Sequence, residues 1–299
     1  MVESFWEYGF LGRALIAGGL MSLACGALSP FVVLRGLSFS ADGLAHASLG
    51  GLAVGLWVWQ SGPTPTVATY SFAVLFTSGV ALAMAWVSRR QRVRSDTAVG
   101  ACYVAAFAFG VVMLSARKRY TGHLETFFFG SILAVNPLEC WLLGGLAAGV
   151  AAWVIAHWRW LGRWVFDEEL AHAGGVQVGT LRYGLMLLIA ATVVLSTKIV
   201  GVLLVTAMLI LPGAIGTLWG QRLWSITLVS VTTALAATGS GMLVSNTADL
   251  PPGPVMVLLT FLVFVVALGW RHLRERRRLA SALPSTTPLS APNPLDAAA

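Results

Sequence analysis

The chain has 299 residues, 57% of them hydrophobic and 10% charged, with a formal net charge of +7 and a mean hydropathy of +0.80. That balance excludes a water-soluble globular domain of this size and reads as an integral membrane protein. The arginines cluster between apolar runs, which in a membrane protein reports orientation and argues against a nucleic-acid partner.

The first ten residues carry Glu3 and Glu7 where a secretory signal carries basic residues, so the N-terminus is expected to stay in the membrane protein. Nine hydrophobic segments follow, at about Gly9 to Leu34, Ser40 to Trp59, Thr66 to Val87, Ala98 to Leu114, Ile132 to Ala156, Tyr183 to Ser196, Val200 to Leu218, Trp224 to Val244 and Val255 to Leu268. Each approaches the roughly 20 residues that a helix needs to cross the hydrocarbon core. They are apolar on every face and lack the alternation of barrel strands, so the fold class is an all-α polytopic membrane helical bundle. Only Thr197, Lys198 and Ile199 separate the sixth and seventh segments, so one of the two is expected to be short or re-entrant, which gives eight or nine crossings. Pro212 is expected to end or kink its helix. Residues 1–278 form the transmembrane domain, and residues 279–299, rich in Pro, Ser and Ala, an expected disordered tail. The arginine clusters at 89–94, 159–163, 222 and 271–278 fall on one side if the crossings alternate. The positive-inside rule makes that side, and the C-terminus, cytoplasmic. Cys25, Cys102 and Cys140 are widely spaced and read as packing residues.

The second segment holds the chain's least expected polar residues. Asp42 and His46 stand four apart and share one helix face. Beside them Gly43, Ala47, Gly51 and Gly55 repeat every four residues, a stripe on which another helix backbone can approach closely. An ionisable residue at membrane depth costs at least ~2.5 to 3.5 kcal/mol and usually lines a pathway or meets a partner. A carboxylate and an imidazole suit zinc(II) or manganese(II), yet two ligands are too few to hold either. A second copy across a two-fold axis doubles them. The competing reading is local: Ser40 or Asp42 caps the helix start and His46 bonds a carbonyl in the first turn.

Phe166 to Gly175 reads as a short helix with Asp167 as cap, Glu168 and Glu169 in its first turn and Gly174-Gly175 as its stop. His172 there is expected on the surface. His123 and Glu125, two apart, do not share a helix face and are expected in a loop, while Lys198 is expected to reach an interface or pair internally. Glu139 is a helix-start residue.

The stretches VVLRGLSFSADGLAHASLGGLAVG, FFFGSILAVNPLE, FDEELAHAGGVQVGTLRYGLMLL, TKIVGVLLVTAMLILPGAIG and DLPPGPVMVLL, in that order between Leu28 and Leu268, resemble the permease subunits of ATP-binding-cassette importers for zinc, manganese or iron. The resemblance implies a type II importer permease in a bacterial-type plasma membrane, paired with a second copy of itself. It also implies two cytoplasmic ATP-binding subunits and an extracytoplasmic metal-binding protein. Asp42 and His46 match the family's metal-coordinating pair, with Ala41 where the family often has glycine. Asp167, Glu168, Glu169 and Leu170 fall in the coupling helix that docks on the ATPase. No cofactor and no catalytic residue are implied; the metal is cargo.

Lys118 and Lys198 are the only lysines, and neither lies in a GxxxxGK[ST] phosphate loop, so any ATPase activity belongs to another chain. The rival reading, a self-sufficient secondary transporter or channel, calls for related halves or several deep carboxylates, and Asp42 is the main deep one. An intramembrane metalloprotease would need HExxH, which is absent. Zinc is slightly favoured as cargo because two Asp and two His make a four-coordinate set.

Overall fold

The computed structural model describes residues 9–58, 67–89, 95–116, 130 and 135–282. His123 and Glu125, the side chain of Lys198 and residues 283–299 of the tail lie outside the described residues. Eleven helices make up these residues, in the order α1 (Gly9–Leu34), α2 (Ser38–Val58), α3 (Val67–Arg89), α4 (Ser95–Ser115), α5 (Pro137–Ala156), α6 (Trp158–Phe166), α7 (Glu168–Ala173), α8 (Val178–Val200), α9 (Val202–Trp219), α10 (Leu223–Ala248) and α11 (Pro252–Ala282). Eight of them are long and apolar enough to cross a membrane. The ninth long helix is α2, which at 21 residues has the length to cross and carries Asp42, His46 and many small residues.

Packing contacts alone give the helix directions. Gly51 faces Ala73 and Gly55 faces Thr69, so α2 and α3 run antiparallel. Gly43 faces Tyr103 and Gly50 faces Ala106, so α2 and α4 run parallel. Ser22 on α1 bonds Thr238 on α10 while Gly26 faces Val231, again antiparallel. The helices gather in two groups. In one, α2 packs between α3 and α4 with α8 alongside; in the other, α1 packs against α5, α9 and α10, and α11 closes over α9 and α10.

Neither the sixth nor the seventh segment is short. α8 has 23 residues and α9 has 18, and the single residue Gly201 separates them at φ +81°, a left-handed conformation that glycine adopts without steric cost. Pro212 does not end α9, which continues through it to Trp219. Its neighbour Gly213 donates its N–H to Ser29 Oγ of α1 at 2.6 Å, so backbone near the proline finds a hydrogen bond outside its own helix. Asn136 caps α5, its N–H donating to the Glu139 carboxylate at 3.0 Å. Helix α11 runs on to Ala282, so it takes in the first four residues of the expected tail.

One end of the bundle collects several elements. The α1–α2 turn, α6, α7 and the start of α8 meet there through Arg35, Trp164, Glu168 and Arg182. Phe31, Trp158 and Trp224 stack edge to face nearby, with ring centroids 6.4 and 5.9 Å apart.

Candidate functional site

Between Ser40 and Gly51 every residue of α2 is buried except Asp42 and His46. The reason lies in the small residues around them. A Cβ added at Gly51 would stand 2.7 Å from the Ala73 carbonyl oxygen of α3, and one at Gly55 2.6 Å from that of Thr69. On another side, Gly50 meets Ala106 and Gly110 of α4, where a Cβ on Gly110 would come 2.7 Å from Gly50 Cα. Ala47 is fully buried and Gly43 lies under the Tyr103 ring. The backbone of α2 is thus gripped by α3 and α4 of the same chain.

Asp42 Oδ2 and His46 Nε2 stand 3.9 Å apart, with 42% and 29% of the two side chains exposed. Two donors about 2.1 Å from one ion at tetrahedral or octahedral angles are roughly 3.0 to 3.4 Å apart, so a small rotation brings the pair to chelating distance. Aromatic rings of α4 limit the imidazole on one flank: Phe107 meets it edge to face at 5.8 Å and Tyr103 lies 6.2 Å away. Phe39 in turn packs edge to face on Tyr103 at 5.7 Å, so Phe39, Asp42 and His46 form one accessible stripe. Among the described residues no group of three or more His, Cys, Asp or Glu could hold a metal ion. The Asp42–His46 pair by itself offers two donor atoms, a carboxylate oxygen and an imidazole nitrogen.

The second candidate segment divides differently from its sequence expectation. Asp167 caps α7, its Oδ1 accepting from Leu170 N–H at 2.9 Å, and Gly175 at φ +78° follows the helix, with Val176 N–H returning to the Ala171 carbonyl. His172 is exposed, as expected of it. Glu169 and Leu170 are also exposed, Leu170 by 71%. Glu168 is set apart from Glu169 and Leu170 by its partners. Its carboxylate pairs with Arg35 of the α1–α2 turn and accepts two bonds from Arg182 of α8, at 2.8 and 3.0 Å. Arg35 also donates to the Trp164 carbonyl at 3.3 Å and lies 4.8 Å over that buried indole. Desolvation, followed by the nearby Arg182 charge, lowers the Arg35 pKa from its ordinary value. Sequence reasoning missed this junction and the Tyr103-Phe107 pair; an i, i+4 aromatic pair and an arginine between two apolar segments were the available signals.

Eight helices of membrane-crossing length, with Asp42 and His46 accessible on a stretch of α2 that is otherwise buried from Ser40 to Gly51, make up a polytopic membrane protein. The chain matches the model of the ABC 3 transport family over residues 7–271 and belongs to that family. It is 34% identical over 263 residues to a Thermotoga maritima protein described as "Probable metal transport system membrane protein", covering 88% of this chain and 90% of the relative. It is 31% identical to the "Manganese transport system membrane protein MntC" of Halalkalibacterium halodurans, with coverages of 89% and 88%. Among solved structures, PsaBC from Streptococcus pneumoniae in complex with Fab superposes with a TM-score of 0.78 at 27% identity, covering 89% of this chain and 93% of that one.

Proposed function

We propose that this chain is the membrane-spanning subunit of an importer for a divalent transition-metal cation, which works as a dimer and draws on ATP hydrolysis by separate cytoplasmic subunits. The observation that carries the reading is the pair of accessible donors, Asp42 and His46, on a helix buried at every other position from Ser40 to Gly51. Two copies bring two carboxylates and two imidazoles, and the carboxylates balance the charge of a divalent ion in a low-dielectric path. Half-sites hold the ion weakly alone, which suits a site that must also release it. The donor set admits zinc as a four-coordinate ion and manganese with added waters. Similarity to a chain named for manganese transport supports manganese as well.

The end of the bundle that carries α7 also carries Arg159, Arg163 and Arg222, and the α10–α11 hairpin returns Arg271 and Arg274 toward it. The positive-inside rule makes this the cytoplasmic end, with α7 presented to the ATPase and the C-terminus on the same side. Delivery of the ion from the opposite face calls for an extracytoplasmic metal-binding protein.

The test is uptake of radioactive manganese or zinc by proteoliposomes holding this chain, its ATPase and its binding protein, each metal competed against the other. Asp42→Asn preserves shape but removes two charges from the dimer's site, and with His46→Ala it should lower uptake at least about tenfold without loss of assembly. Since α2 begins at Ser38 and Asp42 lies inside it, wild-type uptake by both variants would make the pair structural and take it off the metal's path.

A further inference from the structure

The Glu168 carboxylate is the first residue of α7 and is held from two directions. Arg35 reaches it from the turn that begins α2, and Arg182 from the first turns of α8. Arg35 is only 17% exposed and Arg182 21%, so both guanidinium groups lie largely inside the junction. Arg35 is fixed further by the Trp164 carbonyl and by stacking on the Trp164 ring, which is fully buried in α6. One carboxylate therefore ties together the α1–α2 turn, α7 and α8, while its neighbours Glu169 and Leu170 face outward. The tie is also short. At 1.5 Å per residue, Asp42 lies roughly 6 Å and His46 roughly 12 Å along α2 from its start at Ser38, three residues after Arg35.

We propose that Glu168 is a positioning residue, and that the Arg35–Glu168–Arg182 junction transmits displacement of α7 to α2 and so to the Asp42–His46 pair. This rests on the reading of the chain as an ATP-driven metal importer. Two guanidinium groups on one carboxylate form a charge-assisted, geometrically directed link, so a push on α7 moves the α1–α2 turn with it. The exposed face of α7 meets the ATPase, and the Glu168 side chain carries the movement inward. Helix α8 packs against α2, so its tether through Arg182 works on the same helix.

The experiment uses the assembled complex of permease, ATPase and binding protein in lipid nanodiscs, with Cys25, Cys102 and Cys140 replaced. A Phe39→Cys substitution reports on α2 through its rate of maleimide labelling, compared without nucleotide and with ATP plus vanadate. The expected result is an ATP-dependent change in labelling that Glu168→Gln abolishes and Glu168→Asp, which keeps the carboxylate between Arg35 and Arg182, retains. Metal transported per ATP hydrolysed should fall at least about fivefold in Glu168→Gln and stay closer to the parent in Glu168→Asp. Should Glu168→Gln reduce the inserted protein, Arg182→Gln and Arg35→Lys carry the same comparison. An ATP-dependent change that persists in Glu168→Gln overturns the proposal, as does its absence in the parent. Release of the ATPase by Glu168→Gln also overturns it, by making Glu168 part of the docking surface. If the labelling change follows the junction but the parent moves no metal, the import reading fails and the coupling role of Glu168 stands.

Discussion

Asp42 and His46 differ from the residues around them on α2, from Ser40 to Gly51, in keeping 42% and 29% of their side chains exposed. Ser48 is buried and donates to the Ala45 carbonyl at 2.6 Å, the usual fate of a hydroxyl in a membrane helix. The imidazole instead keeps an accessible edge while Tyr103 and Phe107 restrict its ring. Tyr103→Phe preserves that packing, whereas Tyr103→Ala removes it and lets the ring turn. The expected outcome is unchanged metal uptake for Tyr103→Phe and a KM raised several-fold for Tyr103→Ala, read from the concentration dependence of uptake. The donor pair was legible in the sequence because charge is rare there and a spacing of four fixes a shared face. Its aromatic neighbours were not, because Tyr103 and Phe107 in an apolar helix look the same whether they face lipid, core or a ligand. The partners of Glu168 were hidden for another reason: Arg35 lies 133 residues away, and no local pattern links them.

Among the elements, α2 depends on the absence of side chains more than on their presence. Gly51→Leu drives a side chain into the Ala73 backbone, where no rotamer can relieve it. It should cost about 1 to 3 kcal/mol or more and lower the unfolding midpoint in detergent, measured by intrinsic fluorescence. Helix α7 divides into an inner and an outer face. Glu169→Lys combined with Leu170→Asp changes only the exposed face, so co-purification of the ATPase should drop sharply while membrane insertion is unaffected; full recovery of the ATPase would place docking elsewhere. The nine long helices could be read from apolar length, and α7 from its cap and glycine stop. The joint at Gly201 could not: two helices separated by one residue look like a single interrupted segment until the positive φ of that glycine is known. The path of α9 through Pro212 was equally hidden, since Ser29 on a different helix supplies the external hydrogen bond.

For the whole molecule, the distribution of close contacts decides how a second copy can approach. The Gly43–Ala47–Gly51–Gly55 stripe suggests from sequence a surface for another helix, and α3 and α4 of the same chain take that place at Gly43, Gly51 and Gly55. What remains accessible on this part of α2 is the stripe of Phe39, Asp42 and His46. A two-fold axis beside that stripe makes each residue meet its own counterpart and completes the donor set that one chain lacks. Cysteines introduced one at a time at 39, 42 and 46, in a chain without its native cysteines, should therefore form disulfide-linked dimers under mild oxidation in membranes. Cysteines at 43 and 50 should stay monomeric, because each points into α4 of its own protomer. Non-reducing electrophoresis reads the result, and adding manganese should slow linkage of the cysteine at 39, where Asp42 and His46 both remain, by holding those side chains on the ion. Linkage at 43 and 50 but never at 39, 42 or 46, with or without nucleotide, would show that the copies meet on a different face and that the two donors of one chain act alone.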